Sequence, residues 1–359
     1  MRVLISGGGT GGHLFPAIAV AQALSRKDPD VSILFAGRRT GIEARTVASY
    51  GMRFAAVPAA PLYTQEIWRN WKLPPVLGVA LWQSWRLIDR FKPDAVFGTG
   101  GYVSVPLIAA AGLARVPVVL QEQNLMPGRA TRVLSRFARR VAIAYPESAR
   151  YLHASTVVTG TPVRTEFWRQ KENFASLPRS ILVLGGSQGA HRINQAVADA
   201  LPSLLQRPDL TIVHQTGERE IGTMQSLKAS LPAPGADRYQ PFAFASDLAD
   251  RIRAADLVVS RAGASTLSEV SAIGIPMVLI PYPYAGGHQR LNVAPYEAAE
   301  AAIVIPDDQA DGGRLLRELT SIIDDPVRYR KMVEAMQGLG RPYAAEEVAR
   351  LIESVARQH

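Results

Sequence analysis

The sequence predicts an α/β protein of two Rossmann-like domains, each built on a parallel sheet, which face each other across a cleft. Three observations support this fold class. The length of 359 residues exceeds what one ordinary hydrophobic core holds, so two domains are expected. Short apolar runs alternate with helical patterns, and a glycine-rich loop follows the first strand of each half. The composition, 47% hydrophobic and 20% charged, is that of a folded chain.

Strands are predicted where short, continuous apolar runs occur, because parallel strands covered on both faces are apolar throughout. The predicted strands are Val3–Ser6, Ser32–Ala36, Ala95–Phe97, Val116–Leu120, Ile181–Leu184, Thr211–His214, Leu257–Ser260 and Met277–Ile280. Helices are predicted between them at Phe15–Ser25 and Arg192–Leu205, and a last helix is predicted at Ala344–Arg357.

The domain boundary is predicted in the turn-rich segment Gly160–Arg164, which gives domains at 1–162 and 163–342. A second hinge is predicted at Gly338–Pro342, with 343–359 as a helical segment that packs back on the first domain. In open α/β sheets, ligands bind at the carboxyl ends of the strands, so the site is expected in the cleft.

The charge of the chain is unevenly distributed. Residues 1–162 contain 19 lysines and arginines against 8 acids, a net charge of +11, whereas the remainder has a net charge of −2. We therefore expect the first half to face an anionic partner such as nucleic acid, lipid headgroups or pyrophosphate.

Several protein classes are disfavoured by what the sequence lacks. It contains no cysteine, which excludes disulfides and thiolate metal sites or nucleophiles. No window reaches the roughly 18 apolar residues of a membrane-spanning helix, and the N-terminus has no signal-peptide pattern. These features predict a cytosolic protein, either free or peripheral to a membrane.

The first glycine loop, Gly7–His13, satisfies the dinucleotide pattern G-x-G-x-x-G between a strand and a helix. The acid that usually follows the second strand of such a fold is replaced here by Arg38 and Arg39. Two arginines suit a 2′-phosphate, so this loop is also compatible with an enzyme that binds NADP. His13 at the end of the loop has two interpretations, a side chain that satisfies a nearby backbone group or a base that takes a proton from an attacking hydroxyl.

The second glycine loop, Gly185–Ala190, also opens a helix after a strand but lacks the third glycine. Ser187 can donate to a phosphate beside the loop amides, and Arg164 and Arg261 are separate cations suited to a diphosphate. The alternative is a tight turn without a ligand.

The segment Ser260–Glu269 places small residues between a strand and a helix predicted to begin near Ser265. Small residues allow a ligand to approach the backbone, and Glu269, one turn inside the helix, can bind two ribose hydroxyls. The alternative is a capping box formed by Thr266 and Glu269.

Tryptophans and cations are concentrated in the first half. Trp68, Trp71, Trp82 and Trp85 are interleaved with basic residues such as Arg86, a pattern typical of a bilayer interface. The alternative is a core helix with solvated charges. A second set of cations, spaced by three and four residues, predicts a basic helical stripe that faces solvent, anionic lipid or pyrophosphate: Arg129, Arg132, Arg136 and Arg140.

No metal site is predicted. The D-x-D sequence Asp28–Asp30 lies in a turn remote from both glycine loops, and no histidine and carboxylate cluster has ligand spacing. A metal-independent enzyme that uses helix dipoles and arginines, with no cofactor, is the simplest interpretation.

Seven motifs occur in order along the chain. They are GGTGGH with Pro16, GTGGYVSVP at Gly98–Pro106, QEQN at Gln121–Asn124, GTPVR, GGSQGA, SRAGASTLSE and HQRLN at His288–Asn292. Together they resemble the motifs of the bacterial N-acetylglucosaminyltransferases that convert lipid I to lipid II in peptidoglycan synthesis. The resemblance covers essentially the whole chain, which makes it far more specific than one glycine loop.

The resemblance implies the GT-B fold and a site at which UDP-N-acetylglucosamine binds the second half. It places the backbone near Ala245 at the uracil and Glu269 at the ribose. It places diphosphate and sugar among Arg164, Ser187, Ala264, Ser265, Thr266, Leu267, Ser268 and Gln289. The first half is implied to contribute Thr10, Gly11, Gly12 and Asn124. Two departures bear on the motifs: Gly286 and Gly287 stand where the family often has acids, and Gln121 stands where histidine is commoner.

The predicted function is transfer of N-acetylglucosamine from its UDP ester to the 4-hydroxyl of a lipid-linked muramoyl-pentapeptide at an anionic membrane surface. The family's α-linked donor and β-linked product imply inversion by one in-line displacement. His13 is the candidate base, Glu122 the alternative, and Tyr102 a neighbour of the acceptor.

Three rival functions were weighed against this prediction. A UDP-N-acetylglucosamine 2-epimerase shares the architecture but gives the tryptophan-rich segment no role. An NADP oxidoreductase leaves the segment Ser260–Glu269 unexplained. A nucleic-acid-binding protein would use the basic half, but no recognition motif supports it.

Overall fold

The computed structural model describes residues 1–61, 67–186, 189–283 and 287–358, and divides the chain into two compact units. Unit 1 comprises Met1–Thr165 and Tyr343–His359, and unit 2 comprises Glu166–Pro342. The unit boundary therefore falls three residues beyond the predicted one, so that Arg164 belongs to unit 1.

Unit 1 is a parallel sheet with the strand order β3-β2-β1-β4-β5-β6-β7. Its strands are β1 (Arg2–Ser6), β2 (Ser32–Gly37), β3 (Arg53–Ala56), β4 (Ala95–Gly98), β5 (Val118–Glu122), β6 (Arg140–Ile143) and β7 (Thr156–Val158). The intervening helices are α1 (Gly11–Lys27), α2 (Ile42–Ser49), α3 (Leu73–Phe91), α4 (Val105–Leu113) and α5 (Arg129–Leu134). The central strands β1, β4 and β5 are almost completely buried because helices cover both faces.

Unit 2 repeats this architecture with the strand order β10-β9-β8-β11-β12-β13. Its strands are β8 (Ser180–Leu184), β9 (Thr211–Gln215), β10 (Tyr239–Phe242), β11 (Leu257–Ser260), β12 (Met277–Leu279) and β13 (Ala302–Val304). Its helices are α6 (His191–Leu204), α7 (Ile221–Ser230), α8 (Gly235–Arg238), α9 (Leu248–Ala254), α10 (Ala264–Ile273), α11 (His288–Asn292), α12 (Ala294–Ala298), α13 (Gly312–Ile323) and α14 (Pro326–Leu339). The last helix, α15 (Ala344–Ala356), packs against α1 within unit 1.

Each predicted strand is present within two residues of its predicted bounds. Five strands were not predicted: β3, β6, β7, β10 and β13. Among them, β3 and β7 are edge strands with exposed residues, and β10 is an edge strand that contains Pro241, so none reads as a continuous apolar run.

In both units the strand order reverses beside the first strand. The reversal lies between β1 and β4 in unit 1 and between β8 and β11 in unit 2. Ligands in open α/β sheets bind at such points, outside the carboxyl ends of the strands. The two glycine loops follow β1 and β8, so each begins at the reversal point of its own sheet.

Candidate active site

His13 lies in the first turn of α1, and its ring packs on the loop that follows β4. Its Nδ1 is 2.8 Å from the Thr99 carbonyl oxygen, while the Thr99 hydroxyl donates to the His13 carbonyl at 2.6 Å. A Cβ on Gly101 would lie 3.0 Å from the His13 Cδ2 atom, and Gly101 has a positive φ of 75°. The ring therefore needs glycine at this position, both for space and for backbone conformation.

These contacts indicate which nitrogen of the His13 ring carries the proton. Because the Thr99 carbonyl can only accept, Nδ1 must carry the hydrogen, and Nε2 is then the nitrogen with a basic lone pair. Gln123 places its Nε2 2.7 Å from the same Nδ1, while its own Oε1 is buried without a partner in the described chain. Rotating this amide by 180° places its oxygen, which can accept, beside the Nδ1 hydrogen.

Glu122, the alternative base, shapes the loop after β5. Its carboxylate is 1% exposed and accepts from the backbone of Asn124 at 3.0 Å, the Asn124 side chain at 2.9 Å and the backbone of Gly128 at 3.0 Å. Three donors occupy its oxygens. Glu122 consequently orients Asn124.

Glu43 was missed by sequence reasoning, although it lies directly beneath the first glycine loop. It is 1% exposed, accepts from the backbone of Gly9 at 3.4 Å and from that of Arg38 at 3.0 Å, and pairs with the Arg38 side chain at 3.5 Å. Arg38 in turn lies 5.3 Å above the ring of Tyr102. A single acid in a short helical segment carries no motif, so only the tertiary contacts identify it.

This arrangement weakens the dinucleotide interpretation of the first loop. A phosphate bound there would need the Gly9 amide and the Arg38 guanidinium, which the buried carboxylate of Glu43 already engages. The additional negative charge would repel a phosphate. Thr10, Gly11 and Gly12 form the start of α1, and Thr10 makes no side-chain cap.

Arg164 lies against α1 in unit 1. Its guanidinium stacks over Phe15 at 4.5 Å and donates to the hydroxyl of Tyr50 at 3.3 Å. Arg164 lies two positions beyond the predicted boundary at residue 162 and within unit 1.

In unit 2, the second glycine loop and the start of α10 follow two adjacent strands. Leu184 at the end of β8 is in register with Ser260 at the end of β11, so both connections leave the same edge of the sheet side by side. Gly189 has a φ of +80°, and a Cβ there would lie 2.6 Å from the Thr216 carbonyl, which excludes larger residues. Ser187, the predicted phosphate donor, lies outside the described residues.

The start of α10 rules out the capping box. The helix begins at Ala264 with Gly263 as N-cap, one residue earlier than predicted, so Thr266 and Glu269 both lie inside it. Glu269 is 7% exposed, and its carboxylate belongs to the helix interior rather than to a cap. The Ser265 hydroxyl is buried without a hydrogen-bond partner in the described chain, while Ser268 donates to the Ala264 carbonyl at 2.8 Å. Thr266 and Leu267 complete this turn.

The helices at the reversal point of unit 2 begin without a side-chain cap. Neither α6 nor α10 has one, a feature they share with α1 and with most helices of the described residues, whereas Asp311 caps α13 and Asp325 caps α14. Uncapped amides at a helix N-terminus favour an anion. The chain thus leaves the amides of α6 and α10 available where a diphosphate is expected.

Arg261, the second cation that the sequence predicts for the diphosphate, is held by two groups of unit 2. Its Nη1 donates to the Ile280 carbonyl at 3.0 Å and pairs with Asp307. Gln289 also links strand ends, because its Oε1 accepts from the backbone of Ala262 at 3.1 Å and of Tyr282 at 2.9 Å. Both side chains therefore hold the connections after β11 and β12 in place.

Ala245 follows β10 at the same carboxyl edge and is half-buried. Its strand is separated from β8 by β9 alone. The structure thus brings the predicted donor-side residues that it describes in unit 2 to one edge of one sheet.

The four tryptophans lie on the surface of unit 1, which excludes the core-helix interpretation. Trp68 and Trp71 are 71% and 73% exposed, and Trp82 and Trp85 on α3 are each 54% exposed. Arg86 stacks over the ring of Trp82 at 4.8 Å. Exposed tryptophans beside arginines fit a membrane interface.

The basic stripe is shorter than predicted. Arg129 and Arg132 lie on α5, which ends at Leu134, and Arg136 lies in a following 3-10 turn. Arg140 begins β6 and is therefore not on the helix.

No described helix combines the length and apolarity needed to cross a bilayer. Likewise, no group of three or more histidines and acids in the described ranges could hold a metal ion.

Comparisons with known proteins agree with the motif resemblance. Residues 3–143 match the glycosyltransferase family 28 N-terminal domain, and residues 180–353 match the C-terminal domain of that family. A protein of Desulfitobacterium hafniense, 37% identical over 97% of both chains, is named UDP-N-acetylglucosamine--N-acetylmuramyl-(pentapeptide) pyrophosphoryl-undecaprenol N-acetylglucosamine transferase. A protein of Syntrophus aciditrophicus with the same name is 39% identical over 97% of both chains.

Solved structures confirm the GT-B fold. MurG of Acinetobacter baumannii is 29% identical and superimposes with a TM-score of 0.78 over 98% of this chain and 99% of its own. A UDP-GlcNAc 2-epimerase of Neisseria meningitidis reaches a TM-score of 0.71 over the full length of both chains at 14% identity, a likeness of fold alone. On the family models and the full-length relatives together, the chain belongs to glycosyltransferase family 28.

Proposed function

We propose that this chain transfers N-acetylglucosamine from UDP-N-acetylglucosamine to the 4-hydroxyl of the muramoyl sugar of lipid I, forming lipid II for peptidoglycan. The observation that carries the proposal is the 37% identity over 97% of the chain with relatives named for this transfer. The 2-epimerases share only the fold, and the pairing of Arg38 with Glu43 disfavours an NADP enzyme.

The donor is proposed to bind unit 2. The uncapped N-termini of α6 and α10 suit its diphosphate, and the partnerless hydroxyl of Ser265 suits a phosphate or sugar oxygen. The buried carboxylate of Glu269 suits the two ribose hydroxyls, because charge-assisted hydrogen bonds are strongest away from water. The backbone near Ala245 is assigned to the uracil, with Gln289 near the sugar.

The chemistry is proposed to depend on unit 1. The acceptor hydroxyl attacks the anomeric carbon while the bond to the β-phosphate oxygen breaks, which inverts the configuration and releases UDP. Nε2 of His13 takes the hydroxyl proton, since Nδ1 donates to the Thr99 carbonyl. Thr10, Gly11, Gly12, Asn124 and Arg164 are assigned to the substrates on this side, with Tyr102 near the acceptor.

The direct test is incubation with UDP-N-acetylglucosamine and a short-chain lipid I analogue, followed by detection of UDP and of the disaccharide product. We expect UDP release that depends on the acceptor. Conversion of the donor to its 2-epimer without acceptor would instead support the epimerase, and no reaction with either would contradict the proposal.

The tryptophan surface of unit 1 is proposed to hold the protein peripherally at the cytoplasmic face of the bacterial membrane. The +11 net charge of residues 1–162 favours anionic lipid, with about 1 kcal/mol for each basic residue near the surface. The exposed rings of Trp82 and Trp85 add apolar insertion, which salt does not screen.

Flotation with vesicles tests this attachment. We expect binding to anionic vesicles that high salt weakens without abolishing, and loss of the salt-resistant part in Trp82→Ala/Trp85→Ala. Val327→Ala removes an exposed apolar side chain from unit 2 and serves as the control. Equal flotation of the double mutant and the wild type at high salt would show that these tryptophans do not insert.

A further inference from the structure

Unit 2 contains a fully buried histidine that the proposed chemistry does not use. His214 lies on β9, between β8 and β10, and is 0% exposed. Its Nδ1 is 2.9 Å from the hydroxyl of Tyr239, and its Nε2 is 3.0 Å from Oδ1 of Asn194. Burial lowers the pKa of His214 to about 3, so the ring is neutral at physiological pH.

The proton positions in this network follow from the orientation of the Asn194 amide. Nδ2 of Asn194 faces two acceptors, the Thr216 carbonyl at 2.9 Å and a Glu220 carboxylate oxygen at 3.1 Å. The amide oxygen of Asn194 therefore faces His214, which must donate from Nε2 and accept at Nδ1 from Tyr239. Every member is satisfied in one arrangement, which makes the network rigid.

The network ends beneath the second glycine loop. Asn194 lies in the first turn of α6, and its amide fixes the Thr216 carbonyl, on which Gly189 packs too closely to admit a Cβ. The neighbouring Gln215 carbonyl accepts from the backbone of Gly185 at 2.9 Å. Both ends of the described loop thus rest on the segment that Asn194 holds.

We propose that Asn194, oriented by His214, Tyr239 and Glu220, is a positioning residue that holds Gly189 and the start of α6 in place for the donor diphosphate. The inference rests on the proposed donor site. Asn194 touches no substrate; it holds the Thr216 carbonyl on which Gly189 packs, so that Gly189 and the α6 amides need no rearrangement when the diphosphate binds. A rigid, preorganised site binds an anion more tightly than one that must first order itself.

Calorimetric titration with UDP and with uridine separates this role from a structural one, because uridine lacks the diphosphate. We expect Asn194→Ala to lower the affinity for UDP about tenfold, the loss typical of one buried hydrogen bond, and to leave the affinity for uridine within about twofold. In turnover assays the KM for the donor should rise, while the KM for the acceptor stays constant.

Tyr329→Phe is the matched control. Tyr329 is as buried as Tyr239, and its hydroxyl donates to the Asp256 carbonyl at 3.2 Å. Asp256 directly precedes β11, so this contact lies at the amino ends of the strands, away from the glycine loop. This variant should keep the wild-type ratio of UDP to uridine affinity. Equal losses for UDP and uridine in Asn194→Ala, or unchanged UDP affinity, would overturn the inference.

If Asn194→Ala does not fold, as judged by circular dichroism, Glu220→Ala provides a second test, because it removes the carboxylate that accepts from the Asn194 side chain. We expect about threefold weaker UDP binding with unchanged uridine binding, and recovery in Glu220→Gln, whose amide oxygen still accepts from Asn194. Wild-type UDP affinity in Glu220→Ala would then overturn the inference. A wild-type protein that binds UDP no more tightly than uridine would instead contradict the proposed donor site itself.

Discussion

The two glycine loops have similar sequences and the same place in their sheets, but different groups contact their backbones. Beneath the first loop lies the carboxylate of Glu43, which accepts directly from the Gly9 amide. Beneath the second, hydrogen bonds run from His214 through Asn194 to the Thr216 carbonyl, and the nearby carboxylate of Glu220 accepts from the Asn194 side chain rather than from a loop amide. The first loop thus uses one of its own amide donors to bind a carboxylate. The described ends of the second loop instead contact backbone carbonyl groups, those of Gln215 and Thr216.

This difference separates the roles of two loops that a sequence pattern treats alike. A loop whose own amide already donates to a carboxylate is poorly suited to a phosphate, whereas a loop whose described ends rest on backbone carbonyl groups, beside the N-termini of α6 and α10, suits one. We therefore assign the diphosphate to the second loop. The first loop is assigned to orientation of His13 and the acceptor.

The largest expected effect tests the first loop. His13→Ala should lower the turnover number by about 100- to 10,000-fold, the usual contribution of a general base, with UDP affinity nearly unchanged. Steady-state kinetics and calorimetry measure the two quantities, and His153→Ala, an exposed histidine of the same unit, is the control. A decrease in turnover below about threefold would place the base elsewhere, and Glu122 would be tested next.

The second effect tests the donor side. Glu269→Ala should raise the donor KM by roughly 10- to 150-fold, because a charge-assisted hydrogen bond contributes about 1.5–3 kcal/mol. Glu297→Ala removes an exposed acid from unit 2 and should leave the donor KM unchanged. Near-normal donor affinity in Glu269→Ala would mean that this carboxylate only stabilises α10.

The third and smallest effect tests whether the two glycine loops have separate roles. Glu43→Ala should lower the turnover number up to about tenfold, because the Gly9 amide and Arg38 lose a buried partner, whereas UDP affinity stays constant. Glu43→Gln keeps one acceptor oxygen and should recover part of the turnover. If Glu43→Ala weakens UDP binding as far as Asn194→Ala does, the two loops do not have separate roles.

Local patterns in the sequence were sufficient for the main elements of the fold. The continuous apolar runs located eight strands within two residues, since parallel strands covered on both faces have no polar side to obscure the signal, although the short buried strand β6 was missed. The ordered motifs gave the family, which the full-length relatives confirm. The edge strands β3, β7 and β10 were missed because an exposed strand lacks that signal.

The partners of individual side chains were decided only by the tertiary structure. The pairing of Arg261 with Asp307 joins residues 46 positions apart, and the contact of Glu43 with Gly9 joins residues 34 positions apart. No short sequence window contains both members of such a pair. Whether an arginine forms an ion pair within the protein therefore cannot be predicted from its neighbours in the sequence. The amino-acid sequence was therefore enough to predict most interior strands, the two glycine loops and the family, whereas the folded chain was needed to show which polar groups already have hydrogen-bond partners.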